Sequence, residues 1–185
     1  MSISYAQLKF PMLPVEPVVL GEVTIRLINP CTEGERYDQW IIDEHYLKNA
    51  EAVGEVLRYV AEYRGQWVAL LTFCSAAYHI KARDQYLHWS ARQVRARRHL
   101  MAQNSRFLVL PGTGKWPNLA SRLLKLVSQV IAQDWQHHFG HPVLALHRNG
   151  KHIVSHLSQW AADGGEIAIG STDIGAQIQR RQYQD

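Results

Sequence analysis

The chain has 185 residues, 46% of them hydrophobic and 19% charged, with a formal net charge of +4. That composition supplies a substantial core for one domain and excludes a disordered, charge-dominated chain. No apolar run reaches membrane-spanning length and Met1 to Lys9 carry no signal-peptide core, so neither a membrane partner nor a secreted precursor is expected. Cys31 and Cys74 are far apart and fit no metal spacing, as expected for a reducing compartment, the cytoplasm.

In chain order, Phe10 to Pro17 holds three prolines and reads as an extended arm, because proline lacks the N–H that helices and sheet interiors need. Val23, Ile25 and Leu27 alternate with Thr24 and Arg26, the period of a half-buried strand. Thr32 and Glu35 have capping-box spacing and open a helix that carries Tyr37, Trp40, Ile41 and, further on, His45 and Tyr46. Val56–Tyr63 and Gln66–Phe73 flank Arg64-Gly65 and predict a hairpin, its second arm apolar enough to be a central strand. Ala76 to Ile80 predicts a further short strand. From an N-cap at Ser90, residues 91–101 predict a helix with Val94 and Met101 toward the core.

Ser105 to Pro111 reads as a buried strand, Gly112 to Pro117 as a loop, and Asn118 as the start of a long helix. That helix sets Leu119, Leu123, Leu126, Val127, Val130, Ile131 and Trp135 at 3.6-residue spacing and ends at Gly140. His141 to Leu146 supplies a strand which, by the right-handed crossover rule, lies parallel to Arg106–Leu110. Ala161 to Gly165 reads as a turn, Glu166 to Ile169 as a short strand, and Gln177 to Asp185 as a polar tail. The fold class expected is α/β (α+β), with a mixed, mostly antiparallel central sheet flanked by helices. Residues 1–185 form one domain in this reading: an arm over 1–20, a core over 21–147 and a divergent C-terminal part over 148–185.

Three features carry possible chemistry. The strand, loop and helix around Gly112, Gly114 and Lys115 aim backbone N–H groups and a helix dipole at one point, the seat of an anion or else a plain connection. It is not a nucleoside-triphosphate loop, since Trp116 follows Lys115 where Ser or Thr is needed and Val109 stands where the first Gly belongs. Second, seven Lys/Arg against the single acid Asp84 lie between Lys81 and Arg106. Arg92, Arg95 and Arg98, three apart on one helix face, suit a phosphate backbone, with Trp89 and Tyr86 as stacking surfaces; a solvated basic face is the alternative. Third, His45, Tyr46, Arg83 and Asp84 are candidate acid–base groups, the alternatives being a helix-end histidine and a structural ion pair. Of the ten histidines, His152 and His156 are four apart, the spacing of two ligands on one helix face, but no Glu follows His152 and neither Cys is near, so no metal is expected.

His45-Tyr-Leu47, Gly54 to Tyr59, Phe73 to Ala77, Arg83-Asp84 with Trp89, Asn104 to Pro111, Pro117 to Ser121 and Asp134-Trp135 occur in an order that resembles the DruA family of the Druantia anti-phage defence system. Related domains occur in transposon-associated proteins. The resemblance covers about residues 36 to 142 and implies a role in defence or mobile elements, with nucleic acid, DNA first, and other defence proteins as partners. The family pattern calls for an acidic strand end where this chain has Leu146-His-Arg-Asn-Gly150. Downstream, Gln159-Trp160 and Gly170 stand where the family has Asn-Trp and a following Gly.

The order of elements is also similar to the acyl-CoA-binding core of the GNAT acetyltransferases, although their Gly-rich signature is not present. That likeness implies acyl-CoA as cofactor, with Leu108, Val109 and Leu110 along pantetheine and Gly112, Gly114, Lys115, Asn118 and Leu119 around the pyrophosphate. Three readings stand: a nucleic-acid modifier of acyltransferase type, a non-catalytic nucleic-acid-binding module favoured by the missing acids, and a small-molecule N-acetyltransferase.

Overall fold

The computed structural model describes residues 20–78, 80, 90–113, 116–148 and 152–154. The predicted arm, the turn, strand and tail after residue 160, and Arg83, Asp84, Tyr86, Trp89, Gly114, Lys115, His156, Gln159, Trp160 and Gly170 lie outside the described residues.

Six strands form one sheet in chain order: β1 (Thr24–Leu27), β2 (Val56–Tyr63), β3 (Gln66–Ser75), β4 (Met101–Val109), β5 (Ala145–Arg148) and β6 (His152–Val154). All neighbours pair antiparallel except β4 and β5, which are parallel. Helices α1 (Pro30–Glu44), α2 (Ala91–Arg97) and α3 (Leu119–Phe139) complete the described fold, a mixed, mostly antiparallel sheet with flanking helices. None of the helices among the described residues is long and apolar enough to cross a membrane.

Strand alternation sorts the core to two faces. Leu57, Tyr59, Ala61, Leu71 and Phe73 join Leu119, Leu123, Val127, Ile131 and Trp135 of α3. Val60, Trp67, Leu70, Leu108 and Leu110 join Tyr37, Trp40 and Ile41 of α1. The stripe read from the sequence is therefore the buried face of α3, and Gly140 ends the helix at φ +75°. Arg64 (φ 49°) and Gly65 (φ 75°) turn the β2–β3 hairpin, both left-handed as a two-residue hairpin of matching twist requires.

Several local expectations are corrected. Helix α1 starts at Pro30, not beside Thr32: Asn29 Oδ1 accepts from Cys31 N–H at 3.0 Å and Glu33 Oε2 accepts from Asn29 N–H at 2.7 Å. Proline at the first helical position has its φ preset and no N–H to satisfy, which draws the start upstream. That helix stops at Glu44, so His45 and Tyr46 follow it in a turn.

Residues 76–78 form no strand. Helix α2 keeps the Ser90 cap, with Gln93 completing a capping box, but stops at Arg97. One 3₁₀ turn, Arg98–Leu100, follows, and Met101 opens β4 four residues before the expected strand. Pairing of Met101–Asn104 with β5, and of Ala102–Asn104 with β3, overrides a local sequence compatible with helix. For the same reason β5 is parallel to β4 as expected, yet its partners are Met101–Asn104 rather than Arg106–Leu110.

Candidate functional site

Strand β4 divides at Ser105. Phe73 opposes Asn104 and Thr72 opposes Arg106, so Ser105 is an extra residue, a β-bulge. Asn104 is buried and its Nδ2 donates to Thr72 O (3.2 Å) and Arg106 O (3.0 Å), clamping the bulge from both sides. Pairing with β5 stops at this junction: β4 continues for five residues, Ser105 to Val109, past its last β5 partner.

His45, Thr72, Asn104 and Ser105 are buried polar residues, and Thr72 faces α1. Tyr37 and Thr72 share a hydrogen bond of 3.0 Å, and burial drives the Tyr37 phenol pKa up. Arg106 donates from Nε to Asn49 O (2.7 Å), from Nη2 to Glu51 O (2.9 Å) and from Nη1 to Ser105 O (2.9 Å). It thereby pins the loop after α1 while keeping a charge that no carboxylate among the described residues neutralises within ion-pair distance.

His45 is 4% exposed. Its Nδ1 accepts from Leu47 N–H at 3.2 Å, which places the proton of the neutral ring on Nε2. Burial first, then the positive charges of Arg106 and Lys48, lowers its pKa to about 4. At neutral pH His45 is therefore an uncharged donor in this conformation. Tyr46, 75% exposed, lies against it with ring centroids 4.5 Å apart.

The predicted cofactor residues occupy the far end of β4. Leu108 and Leu110 are buried toward α1, and Val109 packs toward α3. Leu110 N–H returns to β3 at Val68 O (2.9 Å). Beyond it, Thr113 N–H bonds Leu110 O, Trp116 N–H bonds Thr113 O and Leu119 N–H bonds Trp116 O. These successive turns use three of the donors that a free anion loop would offer. Gly112 takes φ +88° and is exposed, Asn118 takes φ +61° without a side-chain cap bond, and the Leu119 side chain is core.

The predicted basic row lies at the opposite end, before Met101. Arg92 and Arg95 are exposed on α2, which carries no acid. Arg98 caps the helix with helical backbone angles and its N–H still bonds Val94 O, but its side chain is committed elsewhere: Nη1 donates to Ala76 O (2.9 Å) and the guanidinium lies 3.7 Å from the Tyr78 ring centroid. The eight steps of β4 separate row and loop by about 26 Å at ordinary strand rise. The structure thus groups His45 with Arg106, Arg92 with Arg95, and Gly112 with Asn118, at three levels along one strand.

The separated sequence motifs interlock through pairs that no single stretch reveals. Gly54, at φ +82°, abuts Ser75 so closely that an added Cβ would lie 2.6 Å from its Oγ. Tyr59 OH donates to Asp134 Oδ2 at 2.8 Å. Glu55 Oε1 meets His141 Nε2 at 2.9 Å and raises the histidine pKa. Arg106 was visible only as one of the excess cations, and Tyr78 only as a residue of an expected strand. Among the described residues no group of three or more His, Cys, Asp or Glu could hold a metal ion.

A family model described as "Druantia protein DruA" matches residues 19–160. No curated protein and no solved structure matches the chain significantly.

Proposed function

The chain belongs to the DruA family, and on that premise we propose that it is a cytoplasmic component of anti-phage defence that acts on nucleic acid, DNA first, alongside other defence proteins. The observation that carries this reading is the exposure of Arg92 and Arg95 on a helix without acids. Such a face attracts a polyanion and releases its counterions on binding. Arg98 is not part of that contact, being committed to Ala76 O and Tyr78. Binding of labelled DNA at a series of salt concentrations tests the reading. Arg92→Ala with Arg95→Ala is expected to flatten the dependence of log affinity on log salt by about 1.4–1.8, one phosphate contact per arginine. An unchanged slope would remove α2 from the interface.

A second reading, an acyl-CoA-dependent transfer on the same protein, is favoured by the bulge at Ser105 and the run of β4 past β5 toward the start of α3. A parallel pair that stops at a bulge gives a thioester cofactor an edge along Val109, with Gly112 and the first turn of α3 beyond it for its phosphates. His45 would serve there as an Nε2 donor, and Tyr46 as its exposed neighbour. Calorimetric titration with acetyl-CoA is expected to give heat that free CoA competes away. The absence of heat would leave nucleic-acid binding without transfer.

A further inference from the structure

The acids of this chain are gathered on one stretch. Residues 30–55 hold seven Asp/Glu against two Lys/Arg, in a chain whose formal net charge is +4. Three of the seven are taken up within the fold: Glu33 by Arg26, Asp38 by Arg58 and Glu55 by His141. Glu35, Glu44 and Glu51 form no ion pair among the described residues, and Glu35 and Glu51 are exposed.

The large apolar side chains left open to water fall on the same stretch. Ile42, Tyr46, Leu47 and Val53 are four of the five exposed large hydrophobics among the described residues. Ile42 stands two helical turns beyond Glu35 on the outer side of α1, and the other three follow on the turn and loop after Glu44. The backbone beneath them is fixed. Leu47 N–H donates to Nδ1 of the buried His45, Lys48 N–H to His45 O at 2.8 Å and Lys48 Nζ to Asp43 O. The Tyr46 ring leans on the His45 ring, and Arg106 holds the loop through Asn49 O and Glu51 O. Side chains presented on a fixed backbone give up less freedom on binding, and an exposed tyrosine backed in this way is the type of anchor that dominates interfaces.

The charge around the patch selects its occupant. Free carboxylates repel nucleic acid and an anionic lipid surface alike. A second copy in a two-fold dimer would set the same acids against themselves, because an isologous interface opposes a patch to itself. A protein helix with large apolar residues on one face and Lys or Arg beside them meets both features.

We propose that the end of α1 and the loop after it, centred on Tyr46 and Leu47, form the docking surface for a basic amphipathic helix of a partner protein, whose cations meet Glu44 and Glu51. This surface is separate from α2 and does not depend on nucleic-acid binding there.

The probe is a labelled amphipathic helix of about 18 residues, leucine on one face and lysine on the other, titrated with the full chain by anisotropy. The same helix with glutamate in place of lysine is its control. The chain is expected to bind the lysine helix in preference to the glutamate helix. Tyr46→Ala is expected to weaken that binding about five- to thirtyfold. Glu44→Lys with Glu51→Lys is expected to reverse the preference between the two helices, which an unfolded variant would not do. Carbodiimide coupling of the lysine helix to the unmutated chain, mapped by peptide mass spectrometry, is expected to join it at Glu44 or Glu51 and needs no variant to fold. Failure of the lysine helix to bind, equal binding of the two helices, full-strength binding by a folded Tyr46→Ala, or coupling confined to carboxylates outside residues 35–51 would overturn the proposal. Dimerisation in sedimentation that Tyr46→Ala abolishes would give the surface to a second copy and overturn it too. None of these outcomes touches DNA binding by α2, whose salt slope is read separately.

Discussion

The two halves of β4 use the same backbone for opposite ends. Met101 to Asn104 is held between β3 and β5, and its side chains serve as anchors for neighbouring segments: Gln103 takes the Ala77 N–H and Asn104 clamps the bulge. Arg106 to Val109 keeps β3 on one side and runs past β5, backed by α3 beneath Val109 and by α1 beneath Leu108. One extra residue, Ser105, separates a strand that builds the sheet from a strand that offers an edge. A bulge is thus enough to change what a strand is for without changing its direction in the sheet.

Four perturbations break or sharpen that contrast, in falling order of effect. Leu123→Ala removes a fully buried side chain from the core that backs the second half, and is expected to destabilise the chain by about 2–5 kcal/mol in chemical denaturation. The first half, held from both sides, is expected to retain the slower amide exchange in that variant. Asn104→Ala removes both clamp bonds at the junction and leaves the Thr72 and Arg106 carbonyls without them. A loss of about 1–3 kcal/mol is expected, and a loss near zero would mean that the bulge stands without its clamp.

The two halves also carry histidines of opposite pH response. His45, beside Arg106, is buried neutral with a pKa lowered to about 4. Its contribution to stability is complete above the ordinary histidine value of about 6.5 and is lost as pH falls toward about 4, on the order of 3 kcal/mol. Melting temperatures of His45→Gln are expected to fall less steeply over that window than those of the unmutated chain. His141, whose ring meets His99 next to the first half, has its pKa raised by Glu55. Its contribution is present below the ordinary histidine value and is lost as pH rises through the raised value. Both partners are partly exposed, so Glu55→Gln is expected to alter the melting profile by only a few tenths of a kcal/mol, and only on the acidic side of that rise.

Much of this frame was legible from local chemistry. The hairpin at Arg64-Gly65, the apolar third strand, the stripe of α3 and its end at Gly140 each follow from a short run of residues, and each stands where it was expected. The departures arise where distant partners decide. Met101 to Asn104 has no strong preference for strand and acquires it from β3 and β5. Arg98 matches Arg92 and Arg95 in spacing, but a segment 22 positions earlier takes its side chain, through Ala76 O and the Tyr78 ring. Histidine 45 reads as a polar helix residue, whereas its burial depends on an arginine 61 positions later and a loop that the arginine pins. Of the candidate site, the residue types were visible in the sequence and their grouping into three levels was not.

The order of strands across the sheet is the order of strands along the chain. A growing polypeptide can therefore lay each new strand on the edge left by the one before, with no strand waiting for a later one to be inserted beside it. Before β4, only the β2–β3 hairpin closes a short loop; α1 lies between β1 and β2, α2 between β3 and β4, and α3 must be complete before β5 can dock. Up to that moment both halves of β4 present an open edge, and the docking of β5 closes one of them. The distinction between builder and offered edge is thus made last, by the arrival of four residues.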